Sequence, residues 1–157
     1  MKKFRGKKRY FLNLQKETAA AHHNLDFSNE GWFNLWHAHL DFEGVGNRSI
    51  KVRRQHVKAH LSLYKSLVER LESSELSFQS WVVLNNAEAG HDAVYIHTPN
   101  PHEDNFPFKV EHIKWGTVLP YDVKDLIDAT EFEVGQYGSD PNHSFVIQLK
   151  RTEIKIQ

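Results

Sequence analysis

Residues 49–73, SIKVRRQHVKAHLSLYKSLVERLES, decide the fold class. Apolar side chains recur at Ile50, Val57, Leu61, Tyr64, Leu67, Val68 and Leu71, the three-and-four spacing that lines one face of an α-helix. Gly44-Val45-Gly46-Asn47 breaks the chain just before it, and Asn47 or Ser49 offers an oxygen to cap the first turn. The other face is basic: Arg48, Lys51, Arg53, Arg54, Lys58, Lys65 and Arg70 outnumber the carboxylates Glu69 and Glu72. A long helix with one apolar stripe must bury it against another layer.

The flanking segments supply that layer as strands. Upstream, Arg9 to Leu14 alternates, with Tyr10, Leu12 and Leu14 on one face, and predicts a first strand followed by a polar loop to Glu30. Trp32 to Phe42 alternates again, with Trp36, Ala38, Leu40 and Phe42 opposite His37, His39 and Asp41. Downstream, Phe78 to Leu84 carries too little polarity for an exposed edge and belongs in the middle of a sheet. Asp92 to His97 is its hairpin partner, and the proline-rich stretch from Thr98 to Pro107 is an irregular loop.

Lys109 to Trp115 predicts a further strand, and Asp122 to Ala129 a short helix with Asp122 as cap and Asp125 three residues on. Glu131 to Tyr137 and Ser144 to Ile156 complete the set, and a slip of parity within the last predicts a bulge near Arg151. The expected fold is α+β: one domain over residues 1–157, a mostly antiparallel sheet packed on one long helix, with a second short helix. Residues 1–8 are expected to be a flexible basic arm.

Composition bounds the chemistry. The chain has 157 residues, 39% hydrophobic and 25% charged, as a soluble globular domain does. It has no cysteine, which excludes disulfides, thiolate metal sites and thiol nucleophiles. No secretory leader pattern or membrane-length apolar run is present in the sequence, so a cytoplasmic protein with no membrane partner is expected. Twenty Lys and Arg cancel twenty Asp and Glu, yet residues 1–70 hold 14 cations against 6 carboxylates and residues 71–157 hold 6 against 14. Two opposed fields can steer partners unless the fold brings them together.

Eleven histidines carry what site chemistry the sequence offers. His37, His39 and Asp41 project from one face of the predicted strand, where two imidazoles and a carboxylate could meet one metal ion, with His56 and His60 as further ligands. This alternative, a metal-dependent hydrolase, lacks His-Glu-x-x-His, lacks the Ser-x-x-Asp expected after an H-x-H motif, and fails the paired His-x-Thr/Ser pattern around His97-Thr98. His91-Asp92 reads as a turn hydrogen bond sooner than as an oriented base. A second alternative, an RNA-binding accessory protein, would use the N-terminal arm with Arg53, Arg54 and Lys58. The acidic half argues against nucleic acid as the partner.

The acidic stripe Asp122, Asp125, Asp128, Glu131, Glu133 is the stronger signal. Asp122 and Asp125 can offset a helix dipole. Asp128, Glu131 and Glu133 have no such local reason, and like charges this close call for a cation or a basic partner. These five residues are the expected partner-binding set. No catalytic residue and no cofactor is expected.

Three segments, Gly31 to Asp41, Gly46-Asn47-Arg48-Ser49 and Asp92 to Pro101, resemble small bacterial proteins encoded beside polymorphic or contact-dependent toxins. The resemblance implies an immunity protein that occludes a cognate toxin domain, with a nuclease as the expected toxin, without chemistry of its own. The neutral overall charge departs from the acidic balance common among inhibitors of basic nucleases.

Overall fold

In a computed structural model of the chain, the described residues are 7–24, 32–36, 49–74, 78–84, 92–97, 112–137 and 144–152. They form two helices and a sheet: α1 (Lys7–Asn24), β1 (Trp32–Trp36), α2 (Ile50–Glu72), β2 (Gln79–Leu84), β3 (Ala93–His97), β4 (Ile113–Trp115), β5 (Phe132–Tyr137) and β6 (Ser144–Leu149). The six strands lie in the order β1-β3-β2-β6-β5-β4, every neighbouring pair antiparallel. The fold is therefore α+β, as the sequence predicts. Among the described residues, no helix is long and apolar enough to cross a membrane.

α2 begins where Ser49 accepts a hydrogen bond from Val52 N at 3.3 Å, so Ser49 and not Asn47 is the cap. Val57, Leu61, Tyr64, Leu67, Val68 and Leu71 are buried as the periodicity requires. Ile50, in the first turn, is 50% exposed. The buried arc also takes in Val52, His56, His60 and Leu63 and covers about half of the helix circumference. It is that wide because α2 is covered twice, by the sheet and by α1.

α1 occupies residues for which the sequence predicts a strand and a loop. Leu14 is buried but Leu12 is 49% exposed, which one face of a strand would not allow. Tyr10, Leu14, Thr18 and Ala21 are at least partly buried, at i, i+4, i+8 and i+11, a helical series. The Tyr10 hydroxyl hydrogen-bonds His56 Nε2, and Arg70 donates to His22 O at 2.8 Å. The two helices thus run in the same direction. Lys7 and Lys8 belong to α1 and not to a flexible arm; residues 1–6 lie outside the described ones.

Both faces of the sheet are apolar. Val82, Leu84, Val94, Ile96, Ile147, Leu149 and Phe132 pack under α2, together with Leu119 and Val123. Trp81, Val83, Ala93, Tyr95 and Val146 form a second cluster on the reverse face, packed with Ile113, Trp115 and Tyr137. β2 and β3 are buried on both sides, which is why they read as continuous apolar runs. Gly135 faces Trp115 across the β4–β5 ladder, and a Cβ there would lie 2.8 Å from the indole and clash with Ile113. Only glycine lets those two side chains lie flat on the strand.

Three local expectations change. The predicted helix at 122–129 is a single 3-10 turn, Lys124–Leu126, preceded by Val123, with no side-chain cap. Near Arg151, where a bulge is expected, β6 is followed by a 3-10 turn, Lys150–Thr152, and residues 153–156 of the predicted strand lie outside the described ones. Of the predicted strand 109–115, residues 112–115 are described and 113–115 are strand; of the strand 32–42, residues 32–36 are described and are strand. The loop 98–107 lies outside the described residues.

Candidate partner-binding surface

The segment between β4 and β5, residues 116–131, carries four of the five acidic residues singled out in the sequence, and Glu133 follows on β5. Gly116 turns the chain out of β4 at φ 82°, and the amides of Gly116 and Thr117 both donate to Val134 O, at 2.9 and 3.1 Å. Leu119 and Val123 are buried in the core and pin the segment from within. The amides of Val123 and Lys124 donate to Pro120 O, and those of Glu131 and Phe132 to Asp128 O. Lys150 Nζ donates to Ala129 O at 2.7 Å. The segment is irregular but is tied by backbone hydrogen bonds at both ends and through its middle turn.

Its carboxylates meet the cations of α2. Arg54 grips Asp125 with two bonds of 2.6 and 2.9 Å and donates to Asp122 O at 2.7 Å. Arg53 Nε lies 3.4 Å from the Asp122 carboxylate, a pair whose side chains are 14% and 9% exposed. Lys65 binds Glu131 at 2.6 Å while lying over the Phe132 ring. Asp128 has a different reason: its carboxylate accepts from the Thr130 hydroxyl at 2.7 Å and the Thr130 amide at 2.8 Å, closing a turn. The Arg54 hydrogen bonds hold Asp125 below its ordinary value of 3.8, and the Thr130 bonds do the same for Asp128. Glu133 lies half-buried on β5 beside the groove that Lys124 and Lys150 also line.

The same contacts explain the missing helix at 122–129. A helix cap needs the Asp122 side chain turned onto its own backbone, whereas here it turns to Arg53 and its carbonyl to Arg54. Tertiary ion pairs outweigh a local preference worth about 1 kcal/mol.

Two side chains that the sequence reading did not single out stand away from this framework. Val118 and Tyr121 are 75% and 77% exposed, each within two residues of a buried anchor. The signal was the run Val118-Leu119-Pro120-Tyr121, apolar residues too irregularly spaced for one buried face.

The histidine sites stand as follows. His37, His39 and Asp41 lie outside the described residues. His56 and His60 are buried in α2; His56 meets Tyr10, and His60 Nδ1 donates to His56 O at 2.7 Å. His56 thus serves the packing of α1 on α2, and His60 is bonded back to its own helix. Among the described residues, no group of three or more His, Asp or Glu side chains is placed to hold a metal ion. Of the basic residues considered for RNA, Arg53 and Arg54 are engaged by carboxylates, and Lys58 stays exposed. Comparisons with protein families, with curated proteins and with solved structures return no match.

Proposed function

We propose that the chain is a binding protein, an immunity partner that occludes a cognate bacterial toxin domain, and that its docking surface is the segment 116–133. What supports this is the pairing of two strongly exposed apolar side chains, Val118 and Tyr121, with a backbone already fixed by buried neighbours. An aromatic side chain presented on a rigid segment loses little entropy on docking and is the commonest kind of interface anchor. The carboxylates then divide by task. Asp122, Asp125 and Glu131 hold the segment to α2, while Asp128 and Glu133 flank the anchors and meet basic groups of the partner.

The test takes the product of the neighbouring open reading frame, which on this reading carries a toxin domain, co-expresses it for growth protection and titrates it by calorimetry. Tyr121→Ala should weaken binding by about 2 kcal/mol, roughly thirtyfold, because it removes an anchor. Its melting temperature should match the wild type, since the side chain is exposed. Glu133→Lys should slow association without changing the melt. Wild-type affinity in both variants would mean that the partner docks elsewhere.

A further inference from the structure

The cations of α2 fall into two groups. Those toward residues 116–131 are matched: Arg53 by Asp122, Arg54 by Asp125, Lys65 by Glu131. Toward α1 the helix carries Lys58 into a groove of about 430 Å³ that opens between the two parallel helices. Gln55 and Ser62 of α2 and Gln15, His22 and His23 of α1 share its lining with Lys58, and no carboxylate is among the lining residues. The Thr18 and Ser66 hydroxyls at its floor donate to Leu14 O and Leu63 O of their own helices. The donors that reach the groove are therefore one ammonium, two carboxamides, two imidazoles and one hydroxyl.

Charge extends along the groove. Lys51 precedes Lys58 by seven residues and Lys8 precedes Gln15 by seven, two helical turns in each case. Both lysines are exposed and lie on the same helix faces as the residues they precede. Lys58 also lies within electrostatic reach of Asp125, but that carboxylate is held in a bidentate grip by Arg54. A concave surface of this size, rich in donors and free of lining carboxylates, suits an oxyanion. Apart from the two imidazoles it has no aromatic ring on which a base could stack.

We infer that the groove between α1 and α2 is a binding site for a phosphate group, with Lys58 as its charged contact and Gln15, Gln55 and Ser62 as hydrogen-bond donors. The phosphate belongs either to a small phosphorylated metabolite or to a polynucleotide backbone. This site is separate from the Val118 and Tyr121 surface, so it stands or falls independently of the immunity reading.

The experiment is an amide and side-chain NMR titration of the full 157-residue chain at constant ionic strength. Inorganic phosphate, a mononucleotide and a short single-stranded RNA are the probes, and chloride is the control. Saturable shifts at Gln15, Gln55 and Ser62 are expected with phosphate, and Lys58→Gln should weaken them about tenfold without altering the thermal melt, as loss of a charged hydrogen-bond partner does. RNA binding that exceeds mononucleotide binding, and loses the excess in a Lys8→Gln/Lys51→Gln variant, assigns the site to a polynucleotide. Equal affinity for all three probes assigns it to small phosphorylated ligands. Shifts no larger than those with chloride, or an affinity that Lys58→Gln leaves unchanged, overturn the proposal.

Discussion

Tyr64 joins helix to sheet through a single oxygen. Its hydroxyl donates to Ser80 O at 2.9 Å and accepts from Leu149 N at 3.1 Å and from the Ser80 hydroxyl at 3.2 Å, in a side chain with no exposed surface. The β2–β6 ladder pairs Leu84 with Phe145, Val83 with Val146 and Val82 with Ile147, and stops there. Two steps further, the register would set Ser80 opposite Leu149; the tyrosine oxygen sits between them as a wedge that keeps both backbone groups satisfied. Tyr64→Phe keeps the shape and removes the wedge, leaving a buried N–H and C=O, so it should cost about 2–3 kcal/mol in a denaturant melt at neutral pH. Burial also raises the Tyr64 pKa above its ordinary 10.0. The folded state then keeps a proton that the unfolded state gives up, so this contribution is intact below pH 10 and is lost as pH climbs toward the folded value. The wild type should lose stability above pH 10 more steeply than Tyr64→Phe; equal alkaline slopes would show that Tyr64 is not the group responsible. The helical spacing places Tyr64 in the core, but periodicity reports where a side chain points and not which oxygen it reaches. Tyr121 illustrates the same limit, since an exposed aromatic in an irregular segment has no period to betray it.

Among the elements, α2 is legible because cap, stripe and breaker agree, and β2 and β3 because both their faces are apolar. α1 is not. Tyr10, Leu12 and Leu14 alternate over one short window, while the helix is declared further on by Ala19, Ala20 and Ala21 and by the absence of glycine or proline from Lys7 to Asn24. With so little apolar surface of its own, α1 owes its stability to docking on α2. Leu14, 5% exposed, is the most deeply buried of its described side chains. Leu14→Ala should cost about 2–4 kcal/mol of docking and should be read by amide hydrogen exchange. Protection is expected to fall across residues 7–24 and to persist in β2 and β6, whose ladders do not involve α1. A uniform loss of protection would mean that α1 and the sheet unfold as one unit.

Over the whole molecule, the opposed charges of the two halves are visible in the sequence, but their fate is not, because pairing depends on which loop folds onto which helix. The fold lays residues 122–131 along α2, so that three cations of the basic half meet three carboxylates of the acidic half. Much of the field that could steer a partner is consumed in holding the chain together, so the docking proposed at 116–133 would rest more on Val118 and Tyr121 than on net charge. This arrangement predicts a particular pH dependence. Asp125 titrates below its ordinary 3.8 through Arg54, so the stability it lends is present above that value and is lost as pH falls through the lower, folded one. Arg54→Ala removes the cause. The difference in denaturation midpoint between wild type and Arg54→Ala should therefore be largest near neutral pH and shrink as pH drops below 3.8. It should not vanish, because the bond from Arg54 to Asp122 O does not titrate. Added salt at neutral pH should narrow the same difference, since the Asp125 side chain is 60% exposed and open to screening. A gap that stays constant from neutral pH to well below 3.8 would show that Arg54 acts through its backbone contact alone and that the two halves are not held by their charge.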